Sequence, residues 1–337
     1  MNQSNTQIRM RRRPRGEVSV NDFEMVQTPL AALTDGEVLV RNEWLSLDPY
    51  MRLRMIAQRS YVPPLEPGDV MPGGTVGTVA ASRDPVLPVG TKVVGRLRWE
   101  THSRTTSSAL QQITHTDIPV STALGVVGMP GVTAHYGLLE LAQPQRGETV
   151  VVSAATGAVG SVVGQLAKAA GCHVVGIAGG PEKCRYATET LGFDDCIDYR
   201  ADDFTRQLTK ATPDRVDIQF ENVGGRVMDA VLERLNDYAR ITVCGLISEY
   251  DENHRWPLTN TLQLLVNRVR LQGFIISEHP EYWPGALTDL AERVRQSQLI
   301  YSEDITQGLS NAPAAFIRML KGGNFGKTLV HVADANS

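Results

Sequence analysis

Cysteine is scarce in this sequence, and no two cysteines stand close together along the chain. The 337 residues include four cysteines, at Cys172, Cys184, Cys196 and Cys244. This spacing contains no CxxC pair, so it predicts neither a disulfide framework nor a structural zinc site and is typical of a reducing compartment. A catalytic zinc would require cysteine or histidine ligands in the N-terminal part, where His102 and His115 have no ligand-like neighbours. We therefore expect no metal site.

The chain also lacks an excess of positive charge and the short motifs of several enzyme classes. Its formal net charge is −4 and its pI is about 6.0, whereas a nucleic-acid-binding domain is usually strongly basic. No GxSxG, Walker lysine or HExxH motif occurs. The apolar fraction of 42% and the charged fraction of 21% are ordinary for a globular protein. A length of 337 residues predicts about two domains.

Two long segments carry no formal charge, residues 118–139 and residues 149–167. Both are long enough to suggest membrane spans. The first, however, contains Pro119, Pro130 and several glycines, and both are rich in small and hydroxyl residues instead of Leu and Ile. We expect them to form a buried α/β core, because parallel strands covered on both faces are continuously apolar.

The first 16 residues contain five arginines and no acidic residue. Such a segment can be a transit peptide, but it has neither a hydrophobic region nor an apolar helical stripe, so a secretory signal is excluded. We favour a solvated basic arm that leads into the first strand, and a cytoplasmic location.

The arrangement of strand and helix patterns changes near Gly131. Before it, short β-rich pieces alternate with Pro and Gly turns, which predicts a small barrel-like β domain. After it, apolar strands at 149–153, 173–178, 196–198, 216–220, 239–244 and 269–276 alternate with helices such as 133–141, 159–170 and 227–235. This alternation predicts βαβ units and a parallel sheet. A last strand near residues 327–330 is expected to return to the β domain. The predicted domains are residues 1–125 with 300–337, and residues 126–299.

A glycine-rich turn joins the first strand of the second domain to its helix. Residues 155–160, with the sequence ATGAVG, match the dinucleotide-binding fingerprint with its first glycine replaced by alanine. Gly157 would let the backbone approach a pyrophosphate, and Gly160 would allow close packing of helix and strand. The alternative is a tight turn in an unrelated α/β domain, but the flanking strands and helix favour the dinucleotide site.

The end of the next strand indicates which nicotinamide cofactor binds. A site for NAD would place Asp or Glu there to hold the ribose hydroxyls, but the sequence is Gly179-Gly180-Pro181. Lys183 follows at once, and Tyr199 and Arg200 end the strand after it. A cation and a phenol hydroxyl suit a 2′-phosphate, which favours NADPH, although Lys183 alone could equally be a solvated lysine.

Six separated motifs resemble one enzyme family closely. They are residues 45–52, 128–134, 154–164, 220–225, 244–250 and 323–327. The chain resembles zinc-independent medium-chain dehydrogenases/reductases of the prostaglandin and leukotriene B4 reductase type, a group with NADPH-dependent curcumin reductases and plant double-bond reductases. The resemblance implies an α/β fold, with a GroES-like β-barrel domain and a Rossmann domain built on a doubly wound parallel sheet.

The same resemblance implies the cofactor, the site residues and the substrate class. The cofactor would be NADPH, and the substrates would be α,β-unsaturated ketones and aldehydes whose carbon–carbon double bond is reduced. The implied cofactor-binding residues are Gly157, Ala158, Val159, Gly160, Lys183, Tyr199, Asn222, Cys244, Gly245, Leu246, Ile247, Ser248, Tyr250, Phe274, Ile275, Ile276 and Asn324. Family members are commonly homodimers, and residues 271–276 are a candidate edge strand for such an interface.

Tyr250 and Tyr50 are the candidate catalytic residues. Hydride transfer to the β-carbon gathers negative charge on the carbonyl oxygen, and one well-placed donor there lowers the barrier by about 3 kcal/mol. A neutral phenol can donate in a water-poor cleft. The alternatives are that Tyr50 packs within the β domain and that Tyr250 only covers the cofactor. The α-carbon would take its proton from tyrosine or water.

Two other functions fit the residues. A quinone reductase of the same superfamily would need no tyrosine-stabilised enolate, and a protein that binds NADPH without catalysis would act as a sensor or structural component. Residues 251–257 are compact and charged where the curcumin reductase branch has a longer loop, so the substrate preference of that branch does not transfer.

Overall fold

The computed structural model describes residues 4–114, 117–250 and 256–332. The chain divides into two units, one formed by Met1–Gly125 with Glu303–Ser337 and the other by Val126–Ser302. His115 and residues 251–255 lie outside the described residues. The expectations about that histidine and about the loop therefore stay predictions.

Seven strands and a short helix α1 (Tyr50–Arg54) form the N-terminal segment. The strands are β1 (Ser4–Met10), β2 (Phe23–Pro29), β3 (Glu37–Ser46), β4 (Pro72–Ser82), β5 (Lys92–Arg98), β6 (His102–Thr106) and β7 (Leu110–Gln112). Strands β1 and β2 form an antiparallel pair, and β3, β4, β5 and β7 are neighbours in a larger antiparallel sheet.

This larger sheet closes on itself. Strands β6 and β7 are consecutive, separated by a short 3₁₀ turn, and β6 pairs with β3 while β7 pairs with β5. The ring encloses buried aliphatic side chains, among them Val38, Val40, Val79 and Val93. Strands β3 and β4 approach closely at Gly77, where a Cβ atom would lie 2.3 Å from the Arg41 carbonyl oxygen. The predicted small β barrel is confirmed.

The second unit contains six strands and seven α-helices among its described residues. The helices are α2 (Met129–His135), α3 (Gly160–Ala169), α4 (Pro181–Glu189), α5 (Phe204–Ala211), α6 (Gly225–Leu232), α7 (Leu262–Val266) and α8 (Trp283–Arg295). The strands are β8 (Thr149–Ser153), β9 (His173–Ala178), β10 (Asp195–Asp198), β11 (Val216–Glu221), β12 (Leu235–Val243) and β13 (Arg270–Gly273). They pair in parallel in the order β10-β9-β8-β11-β12-β13. The order reverses between β8 and β11, which is the doubly wound Rossmann topology and its ligand-binding switch point.

The predicted buried core is confirmed for the charge-free segments. All five residues of β8 are buried, and the rest of residues 149–167 form the glycine-rich turn and most of α3. Residues 118–139 form a 3₁₀ turn at Val120–Leu124, helix α2 and the beginning of a π-helix. Among the described residues, no helix has both the length and the apolar character that crossing a bilayer requires.

Three predicted boundaries were wrong. The helix expected at 133–141 is α2 followed by a π-helical segment, Tyr136–Ala142. The helix expected at 227–235 ends at Leu232, and Leu235 already pairs with Val216 as the first residue of β12. The strand expected at 269–276 ends at Gly273, because its neighbour β12 ends opposite it at Val243.

The C-terminal segment adds β14 (Glu303–Gln307), α9 (Ala312–Leu320) and β15 (Lys327–His331) to the first unit. Strand β15 pairs with β14 in parallel and with β3 in antiparallel fashion, so the tail strand joins the β sheet as expected. Helix α9 contributes Phe316 to a core that also contains Trp99 and Phe23, with the Trp99 and Phe316 rings in an edge contact at 5.6 Å.

Candidate active site

The turn between β8 and α3 contains three backbone donors at the start of the helix. The N–H groups of Ala158, Val159 and Gly160 have no acceptor among the described residues. They lie at the N-terminus of a ten-residue helix, where donors and the helix dipole attract anions. A Cβ atom at Gly160 would lie 2.3 Å from the Ala154 carbonyl oxygen, so only glycine fits. The turn therefore fits a dinucleotide pyrophosphate.

A buried carboxyl group organises the adjacent end of the sheet. Glu221, the last residue of β11, accepts hydrogen bonds from the Ser153 hydroxyl at 2.7 Å and from the N–H groups of Val223 at 2.6 Å and Gly224 at 2.8 Å. Its other oxygen accepts from the Gln219 side-chain amide. Burial raises the pKa of Glu221, against the effect of these donors. The carboxyl group thus ties the end of β8 to the turn after β11.

The segment after β12 is held to the same edge by backbone hydrogen bonds. Its N–H groups at Cys244, Gly245, Ile247 and Ser248 donate to carbonyl oxygens of residues 221–223 at 2.9, 3.2, 3.3 and 2.9 Å. Asn222 joins this arrangement, because its backbone and side-chain N–H groups donate to the Ser153 hydroxyl and carbonyl, both at 2.8 Å. The structure therefore brings Asn222 and residues 244–248 together at the switch point.

Tyr250 ends this segment with a neutral phenol. Burial, together with the nearby Cys244, raises the pKa of Tyr250 to about 12, while a hydrogen bond from the Leu246 N–H acts in the opposite direction. Burial and the Glu221 charge also raise the pKa of Cys244 to about 12, which makes it an inert thiol. A Cβ atom at Gly245 would lie 3.5 Å from the Tyr250 hydroxyl oxygen, so the phenol oxygen lies close to the backbone of the same segment.

The end of β9 carries the groups predicted for a 2′-phosphate. A Cβ atom at Gly179 would lie 3.0 Å from the Tyr199 ring and 3.3 Å from the Arg200 guanidinium, so both side chains cover this strand end. The Arg200 guanidinium carbon lies 5.6 Å from the centre of the Tyr199 ring, within cation–π distance. Lys183 lies in the first turn of α4. Arg200 is thus a stronger candidate than its place in the sequence alone suggests.

One carboxylate does lie near this end, contributed by the neighbouring strand. Asp198 of β10 accepts the N–H groups of Gly180 at 2.9 Å and Arg200 at 3.0 Å. It therefore shapes the loop, and the basic and phenolic side chains remain the groups suited to bind a phosphate.

An aromatic cluster packs against the segment after β13. Tyr136, on the π-helix, contacts Phe274 at 5.5 Å between ring centroids and stacks on His279 at 4.4 Å. The Trp283 indole N–H donates to the Ile276 carbonyl at 3.1 Å. Phe274 is thus fixed by Tyr136 and Ile276 by Trp283, with Ile275 between them in the chain. These contacts position the three predicted residues 274–276. Single π-helical turns are frequent at functional sites.

Tyr50 and Asn324 belong to the first unit. Tyr50 begins α1, directly after the buried ion pair between Asp48 and Lys327, whose charged atoms are 2.7 Å apart. Burial and the Asp48 charge raise the pKa of Tyr50 to about 12, so this phenol is also neutral. The Asn324 side-chain amide donates to the Gly326 carbonyl at 2.9 Å in the turn before β15.

Sequence reasoning missed Ser153, Glu221 and Tyr136. Ser153 and Glu221 meet across a separation of 68 residues, which no local pattern reveals. The sequence did contain one signal for Glu221, because an acidic residue at the end of a buried strand requires hydrogen-bond donors around its carboxyl group. Tyr136 lies where a regular helix was expected.

The described residues contain no group of three or more His, Cys, Asp or Glu side chains that could hold a metal ion. This finding concerns residues 4–114, 117–250 and 256–332 only.

Comparisons with known proteins match the chain along its length. A family model described as the N-terminal domain of oxidoreductase matches residues 6–113, and one described as zinc-binding dehydrogenase matches residues 158–292. NADPH-dependent curcumin reductase of Escherichia coli (strain K12) is 47% identical over 327 residues, 95% of each chain. The NADP(+)-dependent 2-alkenal reductase of Nicotiana tabacum is 38% identical over 336 residues, 98% of each chain.

A solved structure gives the same relationship. CurA from Vibrio vulnificus in complex with NADPH superimposes with a TM-score of 0.93 and 44% identity, covering 98% of this chain and 99% of that one. The chain belongs to the zinc-independent medium-chain dehydrogenase/reductase family, in the group of the curcumin, alkenal and prostaglandin reductases.

Proposed function

We propose that this protein is an NADPH-dependent reductase of the carbon–carbon double bond in α,β-unsaturated ketones and aldehydes. The observation that carries the proposal is the position of the Tyr250 phenol, whose oxygen lies beside Gly245 in the segment that is held at the switch point and whose burial keeps it neutral. Full-length relatives include a curcumin reductase and a 2-alkenal reductase. The enzyme class and the NADPH requirement rest on these relatives and on the NADPH complex of the similar CurA.

The residues of the second unit that would hold the cofactor follow from their geometry. The N–H groups of residues 158–160, which have no acceptor among the described residues, would bind the pyrophosphate, and Lys183, Tyr199 and Arg200 would bind the 2′-phosphate. Asn222, residues 244–248 and residues 274–276 would line the ribose and nicotinamide portions. NADPH supplies the hydride when bound.

The chain's contribution to the chemistry is a positioned proton donor. As hydride reaches the β-carbon of the substrate, negative charge develops on its carbonyl oxygen. A Tyr250 hydroxyl aimed at that oxygen would stabilise the enolate by about 3 kcal/mol. Tyr50 is the second candidate donor, and tyrosine or water then protonates the α-carbon.

The proposal is tested by NADPH oxidation against a panel of enals, enones and quinones. We expect turnover of the enals and enones, and Tyr250→Phe should lower kcat about 100-fold with little change in KM for NADPH, because only the donor is lost. The matched control is Tyr238→Phe, since Tyr238 is 68% exposed and should leave the rate unchanged.

The other outcomes identify the competing functions. Turnover of quinones with enone reduction unaffected in Tyr250→Phe would favour a quinone reductase. Absence of NADPH oxidation across the whole panel would favour a protein that binds the cofactor without catalysis.

We propose further that the protein is a homodimer. Strand β13 ends the sheet, all four of its residues are exposed, and its outer edge has no partner strand among the described residues. The neighbouring helix α7 exposes Leu262 (64%) and Leu265 (76%). A second copy could cover this apolar surface and extend the sheet. Because the four cysteines are free thiols, the cytoplasm remains our proposed location.

A further inference from the structure

Two adjacent residues at the junction of α2 and the π-helix each contact a side chain of the segment that precedes α8. The His135 Nδ1 atom lies 2.8 Å from the Tyr282 hydroxyl oxygen, and the Tyr136 hydroxyl oxygen lies 3.1 Å from Nε2 of His279. The two contacts are reciprocal, because each side contributes one histidine and one tyrosine. They join the junction to residues that follow the proposed cofactor-binding segment 274–276 in the chain.

The fold explains why these four side chains meet. Helix α2 packs against α8, and the chain reaches α8 from β13 through residues 274–282. The Tyr136 and Tyr282 rings meet edge to face, with their centroids 4.9 Å apart. A Cβ atom at Gly137 would lie 2.9 Å from the Phe274 ring, so this glycine lets the segment approach the π-helix closely. The contacts thus belong to a tight interface between the π-helix and the segment after β13.

A carboxylate fixes the direction of the His135 hydrogen bond. The His135 Nε2 atom lies 3.2 Å from Asp289 Oδ2 on α8, and the same oxygen accepts the Arg293 side chain at 2.6 Å. A carboxylate can only accept, so Nε2 carries the ring proton, and Nδ1 of the neutral ring accepts the Tyr282 hydroxyl. Burial lowers the pKa of His135, against the effect of Asp289, and burial raises the pKa of Tyr282 to about 12. Both shifts favour the neutral imidazole and the neutral phenol that this hydrogen bond requires.

We propose that His135 is a positioning residue of the cofactor site that acts through Tyr282. This inference rests on the proposed function, in which residues 274–276 line the nicotinamide portion of NADPH. Trp283, next to Tyr282 in the chain, donates its indole N–H to the Ile276 carbonyl at 3.1 Å, so a displacement of Tyr282 moves the anchor of that segment. Both ring nitrogens of His135 are engaged and its side chain is 13% exposed, so it offers the cofactor no hydrogen-bonding group of its own.

The test compares two ligands that share the adenosine 2′-phosphate portion of the cofactor. NADPH contains the nicotinamide, whereas adenosine 2′,5′-bisphosphate lacks it. The dissociation constants of both ligands are measured by calorimetry on the full-length protein. We expect Tyr282→Phe and His135→Ala each to weaken NADPH binding about fivefold, as the loss of one hydrogen bond implies, and to leave the affinity for the bisphosphate unchanged.

Three further variants separate this role from a general loss of stability. His135→Gln keeps an amide oxygen that can accept the Tyr282 hydroxyl and an amide N–H that can donate to Asp289, so it should retain the NADPH affinity of the unmodified protein. The double variant His135→Ala with Tyr282→Phe should bind NADPH no more weakly than His135→Ala alone, because both changes remove the same hydrogen bond. Tyr238→Phe is the matched control, since Tyr238 is 68% exposed in the same unit and should change neither affinity.

Unchanged NADPH affinity in Tyr282→Phe would overturn the proposal, and so would equal losses of affinity for NADPH and the bisphosphate, because these would show a general effect on the fold. Tyr282→Phe removes a single oxygen atom, so the test stands on this variant if His135→Ala does not fold. An unmodified protein that binds neither ligand would instead contradict the proposed function.

Discussion

At the scale of single residues, Glu221 has the largest influence on the candidate site, although it need not touch cofactor or substrate. Its Oε1 atom accepts hydrogen bonds from Ser153, Val223 and Gly224, and its backbone carbonyl holds Cys244 and Gly245. The ends of β8, β11 and β12 are therefore fixed to one another through one residue. Glu221 is a positioning residue for the switch point.

We expect Glu221→Ala to weaken NADPH binding at least tenfold and to lower the free energy of unfolding by about 3 kcal/mol, because three donors lose their acceptor. Glu221→Gln is the matched control, since an amide oxygen can still accept all three. Cofactor titration and urea unfolding measure the two effects. Equal losses in both variants would show that the charge, and not the acceptor geometry, matters.

Protonation of the same residue gives a pH dependence. The pKa of Glu221 is raised by burial above its usual 4.5, so the folded state favours the protonated form more than the unfolded state does. Stability from this group is fully present below pH 4.5 and is lost as pH rises through the raised value. The free energy of unfolding, measured with urea at a series of pH values from 4.5 upwards, should therefore decline as pH rises. Glu221→Gln should remove the part of this decline that is due to Glu221.

At the scale of elements, the local sequence of the turn from β8 into α3 determines both its close packing and its proposed role in binding NADPH. The strand is wholly buried, and the helix begins at the one residue where a side chain would collide with the Ala154 carbonyl. We expect Gly160→Ala to abolish measurable NADPH binding, because the turn must open and the N–H groups of residues 158–160 would move. Gly285→Ala in α8 is the control, since a Cβ atom there meets nothing within 4 Å. Unchanged binding by Gly160→Ala in cofactor titration would contradict this role.

These elements also show what sequence can and cannot predict. Strand β8 and its glycine turn were predictable because apolar residues and glycines are local signals, and the barrel was predictable from its regular Pro and Gly turns. The start of β12 at Leu235 was not, because a buried leucine suits the end of a helix as well as a strand. The Ser153–Glu221 contact and the cover of Gly179 by Arg200 depend on neighbouring strands that are remote in sequence. The aromatic contacts of Tyr136 in the π-helix were not predictable either, because its partners lie more than 130 residues away in sequence.

At the scale of the whole molecule, the outer edge of β13, for which the described part of the chain offers no partner strand, is the basis of the expected assembly. We expect the protein to be a dimer by light scattering and Leu265→Glu to be a monomer, because a charge would be buried in the proposed interface. Val86→Glu is a control, since Val86 is 71% exposed in the other unit. A monomeric unmodified protein would refute the proposed dimer.

Strand β15 also constrains how the chain folds during synthesis. The residues of the second unit are contiguous in sequence, whereas the first unit needs β15 beside β3 and Lys327 beside Asp48, across 279 residues. The Rossmann unit can fold as soon as its own residues leave the ribosome, but the first unit must wait until β15 has been translated. Until then, the edge of β3 that receives β15 and the Asp48 carboxylate lack their partners. The first unit is therefore completed only after the second unit can already have folded. A ribosome that stops before residue 327 would release a folded Rossmann unit attached to a first unit that lacks β15.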